Sequence, residues 1–203
     1  MKTEPTVFVV DDDPAVREAL RFRLRSAGMN VETCGGAQEF LDTYDPAQPG
    51  CLVLDVRMPG MSGLDLQKKL LTDGIALPVI VITGHGDIPM AVRAVKSGAV
   101  DFITKPFRHQ DLLACIKRAL EQDSQRRREL DQHNAVAARI ASLTPREREV
   151  MELVVAGLST KQIALQFDTT HQAVDAHRGR IMRKMQVDSV AELVRLVMTA
   201  RGA

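Results

Sequence analysis

From residue 6 to about 120, short apolar runs alternate with stretches in which apolar residues return every three or four positions. The runs are TVFVV (6–10), NVETC (30–34), CLVL (51–54), PVIVI (78–82) and DFIT (101–104). Nearly continuous apolar runs of this length predict strands buried on both faces. Between them Val16, Leu20 and Leu24 fall at i, i+4, i+8, and Ile88, Ala91, Val92 and Val95 at i, i+3, i+4, i+7, a helical spacing. Five strands separated by helices predict an α/β fold, a doubly wound parallel sheet that binds ligands at the carboxyl ends of its strands.

From Leu143 the strand pattern stops and four helical patterns follow. The first is capped by Thr144, with Pro145 at N1 and Glu147 at N3, and closes at Gly157. Ser159 caps the second; the third (170–185) carries Val174, Ile181 and Met185 on one face, with His177 at its border. The fourth repeats Val190, Leu193, Val194 and Val197. Residues 121–142 hold eight charges, four of each sign, and either extend the preceding helix or form a mobile linker. The expected organisation is therefore an α/β domain over 1–120, a linker over 121–142 and an all-α four-helix domain over 143–203.

Net charge is +1, so a nucleic-acid contact needs a local basic patch. Cys34, Cys51 and Cys115 are scattered and lack metal-ligand spacing, which suits reduced thiols. No apolar run approaches a bilayer span, and MKTEPTVFVVDDD lacks the apolar core of a signal peptide. These features predict a cytoplasmic protein without a membrane partner.

The strand ends carry the chemistry. The first run stops at Asp11-Asp12-Asp13, the third at Asp55, the fourth at Thr83 and the fifth at Lys105. Asp13-Pro14 also reads as a helix start, which gives Asp13 a structural role. Carboxylates crowded together repel, and one takes up a proton unless a cation joins them. Asp11, Asp12 and Asp55 thus predict an oxygen-rich Mg²⁺ site. Lys105 and the Thr83 hydroxyl supply a point charge and a donor for a phosphoryl group.

VFVVDDD, LVLDVRMPGMSG, VIVITGHGD and DFITKPF together resemble the receiver domain of two-component response regulators over about residues 5–120, and the run from Ile82 to Phe107 resembles the FixJ subgroup. The resemblance implies a flavodoxin-like fold and Asp55 as phospho-acceptor for a sensor histidine kinase. It also implies Mg²⁺ held by Asp12 and Asp55, by Asp11 through water and by the backbone carbonyl of Arg57. Lys105 would pair with the phosphoryl oxygens, before a cis bond to Pro106. Thr83 and Phe102 would form the switch pair that reshapes the face formed by residues 87–104, although Phe102 also reads as plain core. Arg57 and His85 would flank the phosphoryl group and tune its hydrolysis; His85 reads equally as a solvated loop residue. Phosphotransfer and dephosphorylation would be slow and self-catalysed rather than enzymatic turnover.

LTPREREVMELVVAGLSTKQIALQF followed by AVDAHRGRIMRKM resembles the LuxR-type helix-turn-helix domain over about 143–199. The implied partners are double-stranded promoter DNA, a second copy of the chain on phosphorylation, and RNA polymerase as a further candidate. A helical wheel places Gln172, Asp175, Ala176, Gly179 and Arg183 toward the major groove. Thr160, Lys161, Arg178, Arg180 and Lys184 are assigned to phosphates, which set register rather than sequence. Gly179 costs about 1 kcal/mol against Ala within a helix, explained either by close backbone approach to DNA or by packing. Where many family members read Ser-Pro-Arg-Thr-Val, this chain has Thr170-His171-Gln172-Ala173-Val174, and its Asp175 can accept from cytosine N4.

Two other readings compete. Haloacid-dehalogenase phosphatases share the strand-end Asp, Mg²⁺, Thr and Lys, but need an acid two residues after the nucleophile, where this chain has Arg57. A constitutive DNA-binding protein could use the first domain for dimerisation alone, which leaves its acidic cluster without a purpose.

Overall fold

The computed structural model describes residues 4–84 and 94–201. The chain divides into two compact units, Met1–Arg126 and Arg127–Ala203. The first unit runs β1 (Thr6–Val10), α1 (Pro14–Ser26), β2 (Asn30–Cys34), α2 (Ala37–Thr43), β3 (Gly50–Asp55), α3 (Gly63–Thr72), β4 (Val79–Thr83), β5 (Asp101–Thr104) and the start of α4 (His109–Ala141). Its strands form one parallel sheet in the order β2-β1-β3-β4-β5.

Side chains alternate across a strand, so each apolar run supplies both faces of the sheet. Val7, Val9, Cys51, Val53, Ile80 and Ile82 pack with Leu20 and Leu24 of α1 and Leu112 and Ile116 of α4. The residues in between, Phe8, Val10, Leu52, Leu54, Val79 and Val81, pack with Phe40 of α2 and Leu66 and Leu70 of α3. Phe8, Phe40 and Tyr44 add edge-on and stacked ring contacts to that second face. Two cores pin one sheet between them. Register then decides the chemistry, because Val10 lies beside Leu54 and Asp55 beside Ile82. The residues that follow β1 and end β3 must emerge together.

His85 and most of the helix expected over 87–97, including Ile88, Ala91 and Val92, lie outside the described residues. Val95 corrects the expected apolar face: it is exposed and its neighbour Ala94 is buried. The cause is Gln67 of α3, whose buried amide donates to Ala94 O (3.1 Å) and Ser97 O (2.8 Å) and turns that side inward. The charged stretch after residue 120 continues α4 as helix. Asp123 there is buried; it accepts from Gly50 N–H at 3.0 Å and from Arg126 at 2.6 Å.

The second unit contains α5 (Pro145–Val155), α6 (Thr160–Gln166), α7 (His171–Met185) and α8 (Val190–Arg201). Thr144 and Glu147 close a reciprocal capping box on α5, Ser159 and Gln162 close another on α6, and Thr170 caps α7. Each box satisfies two backbone N–H groups that a helix start leaves orphaned. Val150, Met151, Val154, Ile163, Val174, Ile181, Met185, Leu193 and Val197 form the core. Val190, in the first turn of α8, is exposed instead. Among the described residues no helix is long and apolar enough to cross a membrane.

Candidate functional site

The residues at the carboxyl end of the sheet meet in a small polar pocket. Lys105 Nζ reaches back from the end of β5 and donates to Asp11 Oδ2 at 2.6 Å and Asp55 Oδ1 at 2.8 Å. The remaining oxygens are also held: Asp13 N–H donates to Asp11 Oδ1 (2.9 Å) and Arg57 N–H to Asp55 Oδ2 (2.7 Å). The side chain of Asp11 is 1% exposed and that of Asp55 8%, so Asp55 is the one with an opening to solvent. Burial alone would lower the Lys105 pKa; hydrogen bonds to Asp11 and Asp55 outweigh it, and the net shift is upward. Two buried carboxylates thus share one ammonium, and the pocket remains short of positive charge.

Thr83 is fully buried at the end of β4, and its carbonyl accepts Lys105 N–H at 2.7 Å. The Lys105–Pro106 bond is cis. Phe102, half-buried on β5, packs against the core cluster that includes Phe8 and Leu54. Asp12 and Arg57 are exposed. Among the described residues no three His, Cys, Asp or Glu side chains gather as an ion's ligands would. The paired buried oxygens of Asp11 and Asp55 nonetheless have the hard donor character that Mg²⁺ selects.

In the second unit α7 exposes one strip: Gln172, Asp175, Ala176, Gly179, Arg180 and Arg183. Val174, Ile181 and Met185 occupy the opposite, buried side. Lys161 and Arg183 are exposed and carry no ion pair among the described residues.

Residues 7–117 match the response regulator receiver domain family, and residues 141–197 match the bacterial regulatory proteins of the luxR family. The transcriptional regulatory protein FixJ of Bradyrhizobium diazoefficiens is 45% identical over 200 residues, covering 98% of each chain. The response regulator protein TmoT of Ectopseudomonas mendocina is 48% identical over 95% of this chain and 88% of its own. Among solved structures, the response regulator StyR superposes with a TM-score of 0.91 at 48% identity, covering 97% of this chain and 99% of its own. Full-length FixJ from B. japonicum superposes at 0.60, with 44% identity and complete coverage of both chains. This chain belongs to the response regulators. It joins a receiver domain to a LuxR-type DNA-binding domain.

The receiver's sheet brings Asp11, Asp55, Thr83 and Lys105 to one end, while Asp12 stays on the surface beside them and His85 is outside the described residues. Two contributors escaped the sequence reading. Arg17 Nη1 donates to Asp11 O at 2.7 Å, fixing the backbone that carries Asp11. Gly63 starts α3 so close under β3 that a Cβ there would overlap the Asp55 carbonyl, and its N–H donates to Val56 O at 2.9 Å. Periodicity could not reveal either, since both depend on loop closure.

In the DNA-binding domain, three side chains assigned to phosphates hold partners within the chain. Lys184, assigned to a phosphate, donates to Glu147 Oε2 at 2.6 Å and Ser142 O at 3.1 Å. Arg180 pairs with Glu147 Oε1 at 3.3 Å, and its Nη2 lies 3.0 Å from His177 Nδ1. Both cations are claimed by one buried carboxylate. Hydrogen bonding from Lys184, then from the Thr144 backbone, brings the Glu147 pKa down to about 2 although burial opposes it. Thr160 gives its hydroxyl proton to Asp175 Oδ1 (3.1 Å) and accepts from Arg178 Nη1 (3.4 Å). Gly179 has open space where a Cβ would stand, which removes packing as the reason for a glycine there.

Proposed function

We propose that a sensor histidine kinase phosphorylates Asp55 and that the phosphorylated chain binds promoter DNA as a dimer. The single observation behind this is a buried, partly opened carboxylate that shares the Lys105 ammonium with a second carboxylate. An Asp55 oxygen attacks the phosphorus of a phosphohistidine; the P–N bond breaks and an aspartyl phosphate forms. Mg²⁺ held by Asp11, Asp12, Asp55 and the Arg57 carbonyl would offset the charge of the entering phosphoryl group. Lys105 transfers its hydrogen bond from Asp55 to a phosphoryl oxygen, and the Thr83 hydroxyl turns to donate to another. Phe102 fills the space Thr83 leaves, and the face around β5 repacks to accept a second copy. A coupling of about 1–3 kcal/mol suffices for such a switch.

In the dimer two α7 helices enter successive major grooves about one helical turn apart, and contact with RNA polymerase follows from promoter binding. Gln172, Asp175, Ala176, Gly179 and Arg183 face base edges; Lys161 and Arg178 serve phosphates, with Arg180 divided between phosphate and Glu147. The test is operator affinity and oligomeric state with and without beryllofluoride, for wild type and Asp55→Asn. Beryllofluoride should tighten wild-type binding at least tenfold and produce a dimer, while Asp55→Asn stays weak and monomeric. Equal affinities in wild type would defeat phosphoryl control.

A further inference from the structure

Resting on the DNA-binding reading, the geometry points to Asp175 as a base-selecting residue that imposes cytosine at one operator position. A carboxylate on a groove-facing strip is costly beside phosphates, so any base edge it meets must offer it a donor. The major groove offers two donors, cytosine N4–H₂ and adenine N6–H₂; guanine O6 and N7, thymine O4 and adenine N7 are acceptors that repel it. Adenine sets its N7 acceptor beside its donor, an arrangement that suits an amide and opposes a carboxylate. Cytosine is left.

Selection also needs the carboxylate held still, and this chain holds it. Thr160 Oγ1 donates its one proton to Asp175 Oδ1, at 3.1 Å. It must therefore accept elsewhere, and Arg178 Nη1 donates to it at 3.4 Å. The relay runs from a guanidinium on α7 through a hydroxyl on α6 and back to a carboxylate on α7. It fixes the direction of each hydrogen bond, occupies Oδ1 and leaves Oδ2 without a partner among the described residues. Gly179, one turn further along α7, is exposed with open space where a Cβ would stand, so that side of Asp175 is open to a base edge. Asp175 reads the base, and Thr160 is its positioning residue.

The test is selection of operator sequences from a random duplex library with the beryllofluoride-activated full chain, followed by affinity measurements on single-base variants of the selected site. Wild type should require cytosine at one position of each half-site, losing about tenfold or more in affinity when it is replaced. Asp175→Asn should abolish that requirement or transfer it to adenine, whose N6/N7 edge suits an amide, and should bind non-specific DNA more tightly. Thr160→Val, which removes the hydroxyl and keeps the shape, should weaken the cytosine preference severalfold without changing the thermal midpoint by more than a few degrees. An unchanged cytosine requirement in Asp175→Asn overturns the inference while leaving DNA binding intact. Failure of activated wild type to select any sequence would overturn the DNA-binding reading itself, and this inference with it.

Discussion

Both halves of this chain bury a carboxylate against a lysine, and they do it with opposite stoichiometry. In the receiver, two carboxylates, Asp11 and Asp55, share Lys105. In the DNA-binding domain, one carboxylate, Glu147, takes Lys184, Arg180 and the Thr144 backbone N–H. The first site is under-neutralised and sits where strands end, so incoming phosphoryl chemistry finds charge it can reorganise. The second is over-satisfied, locks α5 to α7 and has nothing further to offer a ligand. A buried ion pair therefore says little about function until its charges are counted.

Removing the shared cation is the strongest way to break that contrast. Lys105→Met leaves Asp11 and Asp55 facing each other with no ammonium between them. Uncompensated buried charge costs about 3–5 kcal/mol, and the lower end applies here because Lys105 is a quarter exposed. Urea denaturation of the receiver at pH 7 should show this loss. Stability equal to wild type would mean that the ammonium does not offset the two carboxylates.

Glu147→Ala comes next. It removes a cap and two ion pairs, but Lys184 and Arg180 are 35% and 45% exposed and recover water once released. A loss of about 2–3 kcal/mol in the DNA-binding domain is expected. The pH dependence separates the two sites. Glu147 has its pKa lowered from 4.5 to about 2, so its contribution is complete above pH 4.5 and disappears as pH falls toward 2. Lys105 is shifted upward from 10.5, so its contribution is complete below pH 10.5 and disappears in stronger alkali. Thermal melts of wild type against Glu147→Gln should therefore converge in acid, and wild type against Lys105→Met should converge in alkali.

The two sites also differed in how far the sequence revealed them. Asp55, Asp11, Thr83 and Lys105 follow directly from apolar runs that end in polar residues, because parallel register gathers strand ends. Helix starts at Asp13, Thr144 and Ser159 were equally legible, since a cap and its N–H partner are three residues apart or fewer. Glu147 read only as a capping residue: its cations lie 33 and 37 positions away, and helix–helix packing, not spacing, brings them in. For the same reason spacing did not reveal that Lys184 pairs with Glu147. A wheel shows which side of a helix a residue occupies but not which neighbour claims it.

Two glycines sharpen the comparison at smaller amplitude. Gly63 supports the receiver site sterically, because an added Cβ would overlap the Asp55 carbonyl. Gly63→Ala should cost about 1–3 kcal/mol by overpacking and slow phosphate uptake from a small phosphodonor, since the strand end bearing Asp55 must shift. Normal uptake with lowered stability would confine Gly63 to a structural role.

Gly179 carries the opposite sign and the smallest effect. It lies within α7, exposed, with open space where a Cβ would be, so Gly179→Ala gains helix propensity and meets no obstacle in the free protein. The variant should be more stable by about 0.5–1 kcal/mol, visible as a higher urea midpoint for the DNA-binding domain. If the glycine is there to let the α7 backbone approach DNA, the same methyl should weaken operator affinity severalfold. Opposed changes in stability and affinity would place the reason for Gly179 outside the folded chain; a gain in stability with unchanged affinity would mean that DNA does not come close to this turn of the helix.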